Sequence, residues 1–150
     1  MKKIQRIRNK NTGSYFWIII AVVLLDQFSK WIVRINFNIN DSVNLIKTLN
    51  LAYITNTGSA FGILKGANSY LIFFSLIVLG LIMFYWDKIA SKEKIFFALI
   101  VGGIIGNLID RISYGYVVDF IAFTFWPAFN AADSALTIGI VGLIFYNWKE

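Results

Sequence analysis

Two aspartates stand where an acid is least expected. Asp119 lies inside "VVDFIAF", and Asp133 opens "FNAADSALTIGIVGLIFYNW", an otherwise apolar run of helical length. The chain has no histidine and no cysteine, which removes Ser-His-Asp triads, thiolate nucleophiles, imidazole bases and HExxH zinc sites together. Any catalysis must therefore use Asp, Lys, Tyr or Ser. Two carboxylates brought close together cannot both ionise easily; one keeps its proton, so a single residue type supplies both an acid and a base at neutral pH. Each acid also has a plainer reading. Asp133, with Ser134, could be the N-cap of the helix that follows, accepting free N–H groups of its first turn. Asp119 is harder to dismiss, because its apolar neighbours would leave a lone carboxylate unsolvated.

Further ionisable groups interrupt apolar stretches, where they are costly and therefore candidates for function. Asp26 and Lys30 are one helical turn apart and could be an ion pair that holds helix register. Asp110 and Arg111 close another apolar run, where an arginine could equally be an interface anchor.

The elements that must position these groups follow from composition. Hydrophobic residues make up 58% of the 150-residue chain, a membrane-protein composition for a length that suits one domain. Four stretches read as spanning helices: Tyr15 to Val33, Tyr70 to Trp86, Ile95 to Ile112 and Ser134 to Trp148. The third carries Gly102, Gly103 and Gly106 and the fourth Gly139 and Gly142, small residues that let helices approach closely. These two are expected to face the interior.

The net charge of +6 does not point to nucleic acid, since the basic residues cluster beside apolar runs. Lys2, Lys3, Arg6, Arg8 and Lys10 precede the first span, Lys88, Lys92 and Lys94 lie between spans two and three, and Lys149 follows the fourth. No small-residue cleavage site follows "MKKIQRIRNK", so the first span is expected to be retained. The positive-inside rule then places both termini in the cytoplasm, with Asn36 to Ser69 and Ser113 to Asp133 outside. Within the first outer segment, "LNLAYITNTGSAFGIL" reads as a short β-rich stretch and turn. The second, "GYVVDFIAFTFWPAFN", is too aromatic for a solvated loop and is expected to lie on the bilayer surface.

Parity of the spans brings the polar residues together. Asp119 and Asp133 lie on one face because spans three and four are joined directly, and the loop carrying Asn56 shares that face. Asp26, Asn107, Asp110 and Arg111 approach it from within the helices.

Five blocks in order carry a resemblance: "DQFSK" at Asp26 to Lys30, "NTGSAFG" at Asn56 to Gly62, "GGIIGNLIDR" at Gly102 to Arg111, "VVDF" at Val117 to Phe120, and "FNAADS" at Phe129 to Ser134. With four spans between them, the chain resembles the bacterial lipoprotein signal peptidases, the type II signal peptidase family. The one departure noted is Ser59 where the family commonly has alanine, a small-for-small change. The resemblance implies an all-α membrane protein of four transmembrane helices with a small extracytoplasmic β-rich cradle, forming one peptidase domain over residues 1–150. It implies an aspartic endopeptidase of the cytoplasmic (inner) membrane that removes signal peptides from prolipoproteins, cutting before the diacylglyceryl-modified cysteine. Asp119 and Asp133 match the catalytic dyad. Asn56, Asn107, Arg111 and Asn130 match polar positions that orient substrate or dyad, Asp26 matches the acid of the first span, and Asp110 is grouped with them. The implied partners are lipid-modified prolipoprotein signal peptides, membrane lipids and cyclic peptide inhibitors of the globomycin type, with no nucleic acid, cofactor or metal. In such a site the ionised aspartate takes a proton from water while the protonated one polarises the scissile carbonyl.

Two other classes compete. A small transporter or proton conductor could use Asp26, Asp110 and Asp119 as a relay, but a relay needs polar groups through both halves of the membrane. A non-catalytic assembly subunit would leave Asp119 and Asp133 without a purpose.

Overall fold

A computed structural model describes residues 12–58 and 66–148. The basic residues before the first span, Lys65, Lys149 and the Ser59 to Gly62 part of the second block lie outside the described residues. Four helices are long and apolar enough to cross a membrane: α1 (Thr12–Asn36), α2 (Asn68–Tyr85), α3 (Lys94–Tyr114) and α4 (Ala131–Trp148). Each contains one of the apolar runs, extended by up to three residues at an end, except that α2 stops at Tyr85 and Trp86 begins a single 3-10 turn. The protein is a multi-pass membrane protein.

Helix α3 is the axis of the bundle and packs against the other three. Its glycines are the means of approach. A Cβ on Gly103 would lie 2.5 Å from the Ala132 carbonyl oxygen of α4, and one on Gly106 would lie 2.6 Å from Asp26 Oδ2 of α1. No side chain fits in either gap, so these contacts are close helix packing through small residues. Ile82, Ile100 and Val101 form the buried core here. Large apolar side chains such as Phe16, Phe73, Phe84 and Phe145 point outward, the arrangement required where the surroundings are lipid rather than water.

Strands β1 (Ser42–Ile46), β2 (Leu49–Asn56), β3 (Val117–Phe123) and β4 (Trp126–Phe129) form one antiparallel sheet in the order β1-β2-β3-β4. The β-rich reading of the first outer segment thus corresponds to a hairpin. The segment expected on the bilayer surface forms the β3–β4 hairpin, secondary structure that the sequence reading did not assign to it. Its residues Val117 to Phe120 are all buried in succession, so no alternation of apolar and polar residues marks the strand. Val33 of α1, Tyr53 of β2, and Val118 and Phe120 of β3 form a second core that seats the sheet on the helices.

The chain ends α3 with Gly115 at φ 79°, whose N–H donates to the Arg111 carbonyl at 3.1 Å. That left-handed cap suits glycine, which has no Cβ to clash. It turns the chain directly into β3 and so sets Asp119 beside the end of α3. The C-terminal ends of α1 and α3 pack on the sheet and α4 follows β4 directly; the start of α2 meets the end of α3, where Asn68 Nδ2 donates to the Arg111 carbonyl at 3.2 Å, and Lys88, Lys92 and Lys94 lie between the opposite ends of α2 and α3.

Candidate active site

Asn130 lies between β4 and α4. Its side-chain oxygen accepts the backbone N–H of Asp133 at 2.9 Å, and Asp133 Oδ2 accepts the backbone N–H of Asn130 at 3.3 Å. This reciprocal pair is a capping box with asparagine as the cap. Asp133 is therefore not the N-cap that the sequence suggested; it sits three residues inside, one turn along, with its carboxylate turned back over the helix start. A second free N–H of that turn, on Ala132, donates to Asp26 Oδ1 of α1 at 2.9 Å.

The same Asn130 reaches the other aspartate. Its amide Nδ2 donates to Asp119 Oδ1 at 2.8 Å, while Asn56 Nδ2 donates to Asp119 Oδ2 at 3.0 Å. Asn56 is oriented in turn, because its Oδ1 accepts the backbone N–H of Gly58 at 2.9 Å. Asp133 Oδ1 accepts from Asn107 Nδ2 at 2.7 Å. Strand β3 has placed Asp119 at 3% exposure. Burial, followed by the negative charge of Asp133, raises the Asp119 carboxyl to about 7, so near neutral pH Asp119 can hold a proton.

Below this pair lies a buried ionic layer. Asp26, Lys30 and Asp110 are all fully buried. Lys30 Nζ is 2.7 Å from Asp26 Oδ2 and 3.2 Å from Asp110 Oδ2, and Arg34 Nη2 is 2.6 Å from Asp110 Oδ1. Asp110 also accepts the backbone N–H of Val118 at 3.1 Å, which fixes the strand just before Asp119. Gln27 bridges the layer, donating to Asp26, Asp110 and the Gly106 carbonyl. Asp26 and Asp110 have no exposed surface and lie beneath the cavity rather than on its wall.

A cavity of about 950 Å³ opens beside the aspartates. Asn56, Asn107, Arg111, Asp119 and Asp133 form its polar end; Phe74 and Val78 of α2, Ile100 and Ile104 of α3, and Leu136 and Ile140 of α4 form its apolar length. Arg111 Nη2 donates to the Gly58 carbonyl at 3.1 Å, and its Nε has no partner among the described residues. The cavity thus combines two carboxylates, a guanidinium, and an apolar trough running down between α2 and α4.

The structure brings Asp119, Asp133, Asn56, Asn107 and Asn130 into one hydrogen-bonded group, sets Arg111 on the cavity wall, and puts Asp26 and Asp110 one layer deeper. Sequence reading missed Gln27 and Arg34 and took Lys30 only as a possible partner for Asp26. A signal existed: positions 26, 27, 30 and 34 recur at three- and four-residue intervals, one face of a helix.

Comparison with known proteins follows the same pattern. The family described as Signal peptidase (SPase) II, Peptidase_A8, matches residues 18–149. The chain belongs to the signal peptidase II family. It is 40% identical over 136 residues to a lipoprotein signal peptidase of Halothermothrix orenii, covering 89% of this chain and 94% of that protein. It is 43% identical over 134 residues to a lipoprotein signal peptidase of Syntrophomonas wolfei, covering 86% and 89%. Among solved structures, a bacterial membrane enzyme determined by the in meso method at 2.3 Å superposes with a TM-score of 0.87 at 34% identity, covering 92% of this chain and 89% of that one. Signal peptidase II is an aspartic peptidase family.

Proposed function

We propose that Asp119 and Asp133 are the catalytic dyad of this peptidase, and that it cuts prolipoproteins just before a lipid-bearing cysteine. As a member of its family the protein is a membrane aspartic endopeptidase that removes prolipoprotein signal peptides. The observation that carries the assignment of the dyad is Asn130: its backbone N–H donates to Asp133 and its side-chain amide to Asp119, so one residue holds both carboxylates at the mouth of the cavity.

Both oxygens of each aspartate accept hydrogen bonds from N–H donors, so hydrogen bonding alone does not divide the pair. Asp119, raised by burial and by the charge of Asp133, is assigned the proton, and Asp133 the role of base. Asp133 takes a proton from water as the water oxygen attacks the scissile carbonyl carbon, and Asp119 gives its proton to the carbonyl oxygen. When the resulting diol collapses, the proton on Asp133 goes to the leaving amine, the C–N bond breaks, and Asp119 recovers its proton from the diol hydroxyl. Arg111, which lines the cavity, holds a backbone carbonyl of the substrate. The trough between α2 and α4 admits the apolar part of the signal peptide and its acyl chains sideways from the bilayer. Cyclic peptides of the globomycin type would compete for the same cavity.

The aspartates sit on the outer face of the cytoplasmic membrane in this reading, with both termini in the cytoplasm. Support comes from Lys88, Lys92 and Lys94 at the end of the bundle opposite the sheet. The chain has no cysteine, so single cysteines report cleanly. Asn44→Cys on β1 should react with an impermeant thiol reagent in intact cells, and Lys92→Cys only after the membrane is opened. The opposite pattern would put the aspartates on the wrong side for a translocated precursor.

The dyad itself is tested with purified protein and a lipidated prolipoprotein. Asp119→Asn and Asp133→Asn should each lower release of the signal peptide by about 10³-fold or more, while both variants remain folded in detergent. Wild-type cleavage by either variant would reduce that residue to a structural role.

A further inference from the structure

Lys30 makes more contacts than an ion pair needs. Its ammonium is fully buried and, besides Asp26 and Asp110, donates to Asn107 Oδ1 at 2.9 Å. An ammonium has only hydrogens to offer. Asn107 must therefore turn its carbonyl oxygen towards Lys30, and that leaves its NH₂ facing Asp133 Oδ1 at 2.7 Å. The flipped amide would set NH₂ against a cation and an oxygen against a carboxylate. Asn130 follows the same sense: its Nδ2 lies 3.1 Å from Asn107 Oδ1 and donates to Asp119, while its Oδ1 accepts the Asp133 N–H. The direction of donation runs from Lys30 through Asn107 to Asp133.

We propose that Lys30 is a positioning residue for cleavage: by locking the Asn107 amide it keeps an N–H donor on Asp133 and so stabilises the ionised form of that carboxylate. The proposal rests on the reading of these two aspartates as the dyad. A lysine that only held helices together would be complete with Asp26 and Asp110. The charged groups around the dyad are Asp26, Lys30 and Arg34 from α1, Asp110 and Arg111 from α3, Asp119 from β3 and Asp133 from α4; β2 adds only Tyr53, α2 only tyrosines and β4 nothing titratable.

The test is the pH dependence of cleavage of a lipidated prolipoprotein by the full chain in detergent. Asp26→Asn with Lys30→Met removes a buried pair together, which leaves no uncompensated charge and keeps an oxygen for the Ala132 N–H. This double variant should lose kcat about 10- to 100-fold at unchanged KM, and its alkaline limb should move up by about one pH unit. Asp26→Asn alone keeps Lys30 on Asn107 and removes a negative charge, so its limb should move down. A purely structural Lys30 would change folded yield without moving the limb upward. Asn107→Ala cuts the same link at its middle and should also move the limb up; adding the double change to it should move the limb no further.

The inference is overturned if the double variant keeps the wild-type limb, or if Asn107→Ala does, the latter deciding the matter should the double variant not fold. A wild-type protein that releases no signal peptide would instead remove the reading of the dyad.

Discussion

Helices α2 and α3 pose opposite problems. Helix α2 is the more apolar of the two, yet only Ile82 along it is buried. Helix α3 contains three glycines, an asparagine, an aspartate and an arginine, and half of its most apolar stretch is buried. In water the more apolar helix would be the core. In a bilayer lipid tails are as apolar as leucine, so hydrophobicity gives no preference for the interior, and close approach and hydrogen bonding decide which helix goes there. Helix α3 is central because it can be approached closely, and the same small residues give it room for the buried layer that supports the aspartates.

Substitutions at matched glycines sharpen the contrast. Gly103→Leu drives a side chain into the Ala132 carbonyl and Leu136, and should cost about 3 kcal/mol of stability, read as a loss of folded, active protein on detergent extraction. Asn130→Ala should come next: it deletes the donor to Asp119 and the cap of α4, costing about 1 kcal/mol of stability and, through misplacement of both carboxylates, about 100-fold in kcat/KM. Gly80→Leu on α2 adds the same bulk where nothing lies within 4 Å of the new Cβ; thermal stability and cleavage should stay within about 0.5 kcal/mol of wild type. Equal losses at Gly103 and Gly80 would break the comparison.

The comparison also explains what the sequence revealed. Long apolar runs located all four spans, because length and hydropathy are local properties, and span parity was enough to gather Asp119, Asp133 and Asn56 on one face. Strand β3 was not legible as a strand: Val117 to Phe120 are buried in succession, Asp119 among them, so apolar and polar residues do not alternate along it. Asp133 looked like a cap because it precedes the apolar run, yet α4 begins earlier, at Ala131, with Asn130 as the cap. The ionic layer was half seen. Asp26 and Lys30 are neighbours on one helix, but Lys30 meets Asn107 and Asp110 from 77 and 80 positions away in sequence, and Gln27 and Arg34 meet Asp110 from 83 and 76, contacts that no local pattern encodes.

The central claim is that one proton is shared by a pair of carboxylates and that Asp119 holds it. The most direct measurement is kcat/KM of the purified wild-type protein on a lipidated prolipoprotein across pH 5 to 9. Burial and the charge of Asp133 raise Asp119 to about 7, so the acid is present below that pH and is lost above it. The account predicts a rate that falls about tenfold per pH unit on the alkaline side, with the bend near neutrality. A rate that is flat or rising from pH 6 to 9 would mean that Asp119 delivers no proton, and would contradict the account.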